Sequence, residues 1–480
     1  MQKQPRIVII GGGFGGINAA KSLKKAKAEV ILLDKKNHHL FQPLLYQVAT
    51  AGLSPSDIAA PIRGVLHNQK NARVIMGDAK RIDRQGKRVV LEDGEIEYDY
   101  LVIATGMVNN YFGNREKWES HAPGLKTLEE ATDIRRRLLL AFEAAEYTED
   151  PDELAALLTF VVIGGGPTGV EMAGAIQEIA AEVMVRDFRN VDASQARVIL
   201  IEGQDRLLTA FSEESSAAAK ESLQNMGVDI VLNTYVKEIN ADGVLAGERF
   251  IPSKNAIWAA GLKAEPLVDS LGCEQDRAGR VHIESTLHVP EDPHVFVIGD
   301  VAHLEEEGRG MLPGVAQTAI QQGKHVAKNI QAHMQSKQME PFSYFDKGQM
   351  ATIGRAKAVA ETNGLKMRGF IAWLAWLVVH LLFLIGFRSK VSVVTNWMYS
   401  YIATKRSTRL IINTEQSALG RAVLAHAPMQ IEGSMGLTMD ASAEDAEIIQ
   451  DHLFGESLPG STPPRKRVQA QEAPQPQGPA

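Results

Sequence analysis

Short apolar runs, each cut off by glycine or an acid, pace the first 300 residues of the chain. The first, Ile7–Ile10, is entirely β-branched and predicts a buried strand. It stops in a glycine turn, Gly11-Gly12-Gly13-Phe14-Gly15-Gly16, that opens a helix. EVILLD follows as a second apolar strand and ends on Asp34. Residues 35–63 break the rhythm, and their Pro, Gly and Ser predict loops and short helices, with Phe41, Leu44 and Tyr46 turned into a core. Short β-type runs alternating with turns over 72–100 predict an antiparallel meander. YLVIATG then predicts a buried strand with a small-residue end, Ala104, Thr105 and Gly106.

The plan repeats. A helix over 127–150 and a second helix lead to FVVIGGGPTGVEMAGAI, where Gly164, Gly166 and Gly169 restate the spacing of Gly11, Gly13 and Gly16. Gly174 is expected as a further small residue facing the sheet. RVILIEG ends on Glu202 as EVILLD ends on Asp34, and a second meander over 227–261 closes on AIWAAG, with Ala260 and Gly261 at its end. Asp34 lies 23 residues beyond Gly11 and Glu202 lies 38 beyond Gly164, so the second unit carries a longer helix or loop.

A strand, G-x-G-x-x-G, a helix and an acid-ended strand form a dinucleotide fingerprint. The first glycine permits the turn, and the second lets backbone amides approach a pyrophosphate. The third lets helix pack on strand, with phosphates at the helix N-terminus and the acid on a ribose hydroxyl. One such pattern is weak; two, each with its acid, predict two nucleotide sites. The first comprises Gly11, Gly13, Phe14, Gly15, Gly16 and Asp34, with Ala104, Thr105 and Gly106 at the neighbouring strand end. The second comprises Gly164, Gly166, Pro167, Thr168, Gly169 and Glu202, with Ala260 and Gly261.

The expected fold is α/β: two Rossmann-like dinucleotide-binding domains with antiparallel meander insertions, plus a C-terminal membrane-surface helical region. Expected limits are 1–125 with 285–340, then 126–284, 341–412 and a largely disordered tail, 413–480.

HVFVIGDVA adds a strand ending in Gly299 and Asp300. An acid there faces the ligand crevice of a parallel sheet, a helix N-cap being the alternative. A helix beginning near Pro313–Gly314 carries Gln317 and Gln321 four apart on one face. Their free amides would stabilise negative charge on a reduced flavin; Gln322 is expected on the solvated side. The arrangement resembles two-dinucleotide flavoproteins, which hold FAD at the N-terminal site and receive a nicotinamide donor at the other. Glu202 would repel a 2′-phosphate and so favours NADH over NADPH, although nearby Arg206 could accommodate that phosphate.

The formal charge of −7 shows no basic excess and disfavours nucleic acid as a partner. A single cysteine, Cys273, provides neither a disulfide nor the redox pair that disulfide reductases of this plan need. The electron acceptor is therefore a diffusible oxidant or a protein. No metal site is expected. The N-terminal apolar run is too short for a signal peptide, which predicts a cytoplasmic origin.

After residue 340 the character changes. FSYFDKGQMATIGRAKAVAE predicts a hairpin, and Phe370 to Phe387 contains no charge in eighteen residues. That length is at the lower edge for a membrane span, and basic residues on both sides give no positive-inside asymmetry. Trp373, Trp376 and His380 fall on one stripe suited to a membrane interface. In the next segment Val394, Trp397, Met398, Tyr401 and Ile402 are expected to face one way. Thr395, Asn396, Ser400 and the Lys405–Arg406 end would face water or headgroups. The pair reads as helices lying in a membrane surface, with a buried core helix or a span as alternatives.

NHHLFQPLLYQVATAG, the two fingerprints, VIGDVA, the AQTAIQQG helix and DKGQMATIGRAKAV with the aromatic helices together resemble the type II NADH dehydrogenases, single-subunit non-pumping NADH:quinone oxidoreductases. The resemblance covers roughly residues 5–410. It implies tightly bound, non-covalent FAD, NADH as substrate and a membrane quinone, ubiquinone or menaquinone, as acceptor. It also implies a homodimer at the lipid bilayer surface, on the cytoplasmic face of the cell membrane. In that family Ala316 and Gln317 would lie against the flavin ring and shape the quinone pocket. Asp300 would bind the ribityl chain, and Lys347 would assist protonation near the quinone. Glu171 would sit by the nicotinamide and join a proton route, although helix-dipole stabilisation of a first-turn acid would also account for it. A soluble reductase serving an iron–sulfur protein or small oxidant is the alternative.

Overall fold

The computed structural model describes residues 4–362, 364–403, 406, 408–416 and 418–426. β1 (Arg6–Ile10) runs into α1 (Phe14–Ser22) and then β2 (Glu29–Asp34). Residues 38–61 form short elements, among them α2 (Leu45–Ala49), and Phe41, Leu44 and Tyr46 are buried as expected. β3 (Ala72–Met76) is no part of a meander: it pairs in parallel with β2, and the three-stranded meander spans only 81–97. β4 (Tyr100–Ile103) pairs with the other edge of β1, Ile7 opposite Tyr100. Near-continuous apolar sequence is what a parallel strand covered on both faces requires, and β1 and β4 are buried almost throughout.

α3 (Leu128–Tyr147) opens with a capping box, Thr127 bonding the Glu130 amide and Glu130 the Thr127 amide. β5 (Thr159–Ile163), α4 (Pro167–Glu178), β6 (Arg197–Ile201), β7 (Asp229–Val231) and β8 (Asn255–Trp258) make a second parallel sheet, ordered β7-β6-β5-β8. Its meander, 236–252, lies beside it. β9 (His288–Val289) and β10 (Asp292–Val297) then return to the first sheet, whose order is β9-β10-β4-β1-β2-β3. The stretch just before residue 284 packs on the first sheet. Ala264, Leu267, Val268, Leu271 and Val281 share a core with Val8, Ile10 and Leu101 of the first sheet.

α5 (Ala316–Met334) packs along α1. β11 (Gln349–Gly354), β12 (Lys357–Thr362) and β13 (Leu365–Arg368) extend the expected hairpin to three antiparallel strands. Gly174 of α4 faces this sheet and not its own, because a Cβ there would overlap the carbonyl oxygen of Ile353.

α6 (Gly369–Phe383) and α7 (Phe387–Ala403) split the charge-free run at residues 384–386. Among the described residues no helix is long and apolar enough to cross a membrane. The expected facing of these helices is reversed in part. Trp376 is 1% exposed and points inward with Trp397, whereas Ile371, Leu374, Val378 and Leu382 form the outward row of α6. On α7 the residues expected to share one face divide: Trp397 is buried, while Met398 and Ile402 are exposed beside Phe387 and Val391. Asn396 does not face solvent but donates to Asp57 Oδ2 at 3.1 Å, and Ser392 donates to Oδ1 at 2.6 Å. Arg406 turns back to the Thr50 carbonyl at 2.6 Å and to Glu178 at 3.3 Å, whereas Lys405 lies outside the described residues. Past residue 413 a short helix forms, Ala418–His426, and 427–480 of the expected largely disordered tail lie outside the described residues.

Candidate active site

The two glycine turns divide their labour as the fingerprint predicts. Gly11 and Gly164 have φ of +104° and +112°, which only glycine adopts freely, and a Cβ on either would strike the strand-end backbone at Ala104 or Ala259. Gly16 and Gly169 lie so close to the Gly11 and Gly164 carbonyls that a Cβ would overlap them. Gly13 and Gly166 face open space, where a pyrophosphate has room beside the helix amides. Pro167 occupies the first turn of α4, where its missing N–H costs nothing.

Asp34 and Glu202 close the cradles in the same way. Asp34 Oδ2 accepts from the Gly12 amide and Glu202 Oε2 from the Gly165 amide, each at 2.5 Å. Their second oxygens take the amides of Lys36 at 2.6 Å and Gln204 at 2.8 Å. Ile10, Gly11, Asp34, Lys35, Gly77 and Thr105 line one cleft beside the first cradle. Arg206 is turned away from phosphate duty, since its guanidinium donates to the Phe211 and Thr209 carbonyls at 2.8 and 2.9 Å.

At matching strand ends, Gly106 and Gly261 both have φ of +73°. Asp300 sits in a three-residue turn, Gly299–Val301, and the N-cap of α5 is Val315, so capping does not explain the acid. Burial raises its pKa, while Lys126 and Arg280 pull the other way. Gln322 is not solvated: it is 1% exposed and accepts from the Gly299 amide at 2.6 Å, pinning the turn that carries Asp300. Gln321 is not a free amide either, because it exchanges two hydrogen bonds with the Phe345 backbone. Gln317, at the start of α5 beside Ala316, keeps a buried Oε1 with no partner among the described residues. Thr105 Oγ1 and His39 Nε2 are in the same condition. Of these, Thr105 lines the cleft beside the first cradle and His39 contacts the Gly12 carbonyl there, so a cofactor such as FAD would satisfy both atoms.

Glu171 is the fifth residue of α4, past the first turn, so the dipole account fails. Burial pushes its pKa to about 8, with a backbone hydrogen bond from Thr352 opposing the shift. Lys347 lies in the extended segment before β11, exposed, with its ammonium 5.4 Å from the Phe383 ring centre. An aromatic cluster draws together segments far apart in the chain. Phe14 meets Phe41 at 5.8 Å, Phe41 meets His380 at 6.2 Å, and His380 stacks on Trp376 at 4.1 Å. Trp376 in turn meets Tyr46 and Trp397. Burial pushes the His380 pKa down to about 4, although its Nδ1 contacts the Trp376 carbonyl oxygen. The signal for the cluster was the aromatic spacing of α6, read for the wrong face.

Comparison with known proteins agrees with this architecture. The profile of pyridine nucleotide-disulphide oxidoreductases matches residues 5–323, and that of the NDH2 C-terminal domain matches 347–406. The type II NADH:quinone oxidoreductase Ndh of Mycobacterium tuberculosis is 42% identical over 459 residues, covering 92% of this chain and 97% of the relative. NdhA of the same organism is 40% identical over 469 residues, covering 94% and 97%. A Plasmodium falciparum NDH2 structure in complex with NADH shares the fold with a TM-score of 0.78 at 20% identity, over 86% of this chain and 100% of that one. This chain therefore belongs to the pyridine nucleotide-disulphide oxidoreductase family, in its type II NADH:quinone oxidoreductase branch.

Proposed function

We propose that this protein is an FAD-dependent NADH:quinone oxidoreductase that pumps no protons. The observation that carries this is the presence of two acid-closed cradles on a chain whose close relatives are named for that reaction. The C-terminal profile match gives the alternative, a soluble reductase of an iron–sulfur protein, no support. Bound at the first cradle, FAD would supply a hydride acceptor for NADH and a two-electron donor for the quinone, which takes up two protons to become quinol.

The residues divide the remaining work. Gly11, Gly13, Gly16 and Asp34 hold the FAD phosphates and ribose, with Phe14 and Gly15 opening the helix behind them. Thr105 and Gly106 shape the strand end, and Asp300, set by Gln322, takes the ribityl chain. Gly164, Gly166, Gly169 and Glu202 hold NADH, with Ala260 and Gly261 leaving room for its nicotinamide end. Gln317 presents an unpartnered acceptor at the quinone side of the flavin ring. Glu171 holds a proton at neutral pH and Lys347 supplies positive charge nearby.

The outward row of α6 and α7, Ile371, Leu374, Val378, Leu382 and Phe387 among them, lies in the lipid surface. The protein works as a homodimer at the cytoplasmic face, where NADH is made. The domains are 1–125 with about 264–340 for FAD, the intervening stretch for NADH, and 341–412 for the membrane. Rapid mixing tests the reading: NADH should bleach the flavin and ubiquinone or menaquinone analogues should restore it within turnover time. Reoxidation by oxygen alone, with neither quinone effective, would sink it.

A further inference from the structure

The two halves of the molecule make one backbone hydrogen bond alike. In the first half the carbonyl of Asp34, the acid of the first cradle, accepts from the Gly77 amide at 2.9 Å. In the second the carbonyl of Glu202 accepts from the Thr234 amide at 3.1 Å. Gly77 follows β3 and Thr234 follows β7, and each of these strands pairs in parallel with the strand that leads to the acid. The next residue is Asp78 in the first half and Tyr235 in the second. Asp78 lines the cleft beside the first cradle, together with Asp34 and Gly77. The repeat therefore puts Tyr235 on the wall of the second nucleotide cleft.

Direct contacts put the tyrosine there as well. A Cβ on Gly203, the residue after Glu202, would stand 2.5 Å from the Tyr235 ring, so the ring lies on that glycine. The Gln204 amide donates to Glu202 Oε1 at 2.8 Å, and the Gln204 side chain donates to the Tyr235 hydroxyl at 3.3 Å. One residue thereby ties the carboxylate to the phenol. The Gly247 amide holds the Tyr235 carbonyl at 3.0 Å. Fixed at its backbone and its hydroxyl, Tyr235 is still 67% exposed. An aromatic ring held in place and left uncovered offers its face to a planar partner.

We propose that Tyr235 is the platform on which the adenine of NADH stacks, with Gln204 setting the ring against Gly203 beside the ribose that Glu202 takes. The inference rests on the reading of the second cradle as the NADH site. The base sits on the carbon next to the one bearing the 2′-hydroxyl that an acid at this position binds. It therefore emerges within reach of a ring seated on the following residue. Stacking accepts any base, because every base has a π-face. Tyr235 thus acts on affinity for the adenosine end and not on the hydride step. It lets a substrate that comes and goes be gripped without being enclosed.

Two probes separate the ends of the substrate: ADP-ribose carries the adenosine end without nicotinamide, and reduced nicotinamide mononucleotide lacks the base. In the full-length, flavin-loaded protein, Tyr235→Ala should weaken ADP-ribose binding by roughly tenfold in calorimetry, as loss of one stacked base predicts. The NADH concentration for half-maximal flavin bleaching should rise by the same factor. Bleaching by the mononucleotide should lose far less, because that substrate has no base to stack. Tyr235→Phe keeps the ring and should hold ADP-ribose more tightly than Tyr235→Ala, and Gln204→Ala should lose less than Tyr235→Ala. Flavin content checks folding. An equal loss for NADH and the mononucleotide overturns the platform, and so does a Tyr235→Phe protein as weak as Tyr235→Ala. If the parent itself binds no ADP-ribose, the NADH reading of the second cradle falls and takes the platform with it. If the parent binds it and Tyr235→Ala binds it equally well, the platform alone falls.

Discussion

The two glycine cradles are built alike to the level of single hydrogen bonds, yet what covers each of them differs. In both, the first glycine carries the turn, the third touches its carbonyl, and the acid takes the intervening amide at 2.5 Å. Behind the first cradle, α1 is covered by α5, and Gly323 lets the helices approach until a Cβ would overlap the Gly15 carbonyl. Behind the second, α4 is covered by β11, and Gly174 makes the same close approach to a strand carbonyl. Each cover brings one chemical group to the centre: α5 carries Gln317, and β11 brings the Thr352 backbone to Glu171. The frame repeats, and the parts that cover it do not.

The largest effect should come from breaking one cradle at a time. Gly16→Ala forces a Cβ into the Gly11 carbonyl, and such overpacking costs about 1–3 kcal/mol or more. The purified variant should lose most of its flavin. Gly169→Ala, the same lesion in the other half, should keep its flavin and weaken NADH binding by roughly tenfold or more, each 1.4 kcal/mol being about tenfold. Flavin content by absorbance and bleaching against NADH concentration check both. Loss of flavin from Gly169→Ala would break the division of the two sites.

A smaller effect separates the cover from the frame. Gln317→Ala should slow flavin reoxidation by quinone on the order of a hundredfold, the low end of the range for losing one placed polar group. Reduction by NADH should change little. Equal losses in both half-reactions, measured by rapid mixing, would make Gln317 part of the frame.

Third comes the acid pair. Glu202→Ala should narrow the NADH-over-NADPH preference by about tenfold, as removal of a repelling carboxylate predicts, because Arg206 is held by two carbonyls and does not compete. A preference that persists in Glu202→Ala would move selection to another residue.

What the sequence revealed follows the same line. The cradles were legible because their function rests on backbone conformation, and glycine at Gly11, Gly13 and Gly16 records that directly. The covers were not. Gln322 looks solvated by composition, yet it is buried because the Gly299 amide needs an acceptor. Gly174 reads as a sheet-facing glycine until β11, which lies far along the chain, is brought against it. Trp376 and Trp397 have the periodicity of an exposed amphipathic face, and periodicity gives the stripe without saying which side faces inward. α2 makes the choice, since Gln47 offers the buried indole of Trp397 a partner.

The smallest effect concerns Glu171, and it shows whether this acid keeps its proton in the folded chain. Burial holds its folded pKa at about 8, against about 4.3 for an unperturbed glutamate. Between those values the folded chain keeps a proton that the unfolded chain has released, so stability falls as pH rises through the interval and levels off above it. Glu171→Gln removes this slope. The variant should melt higher than the parent at pH 9, and the gap should close as pH approaches 5. Thermal unfolding of the flavin-loaded proteins at the two pH values measures it. A gap of the same size at both would mean that Glu171 is ionised in the folded protein throughout. Its place against the Thr352 backbone would then be structural, and the second cover would have brought packing without proton chemistry.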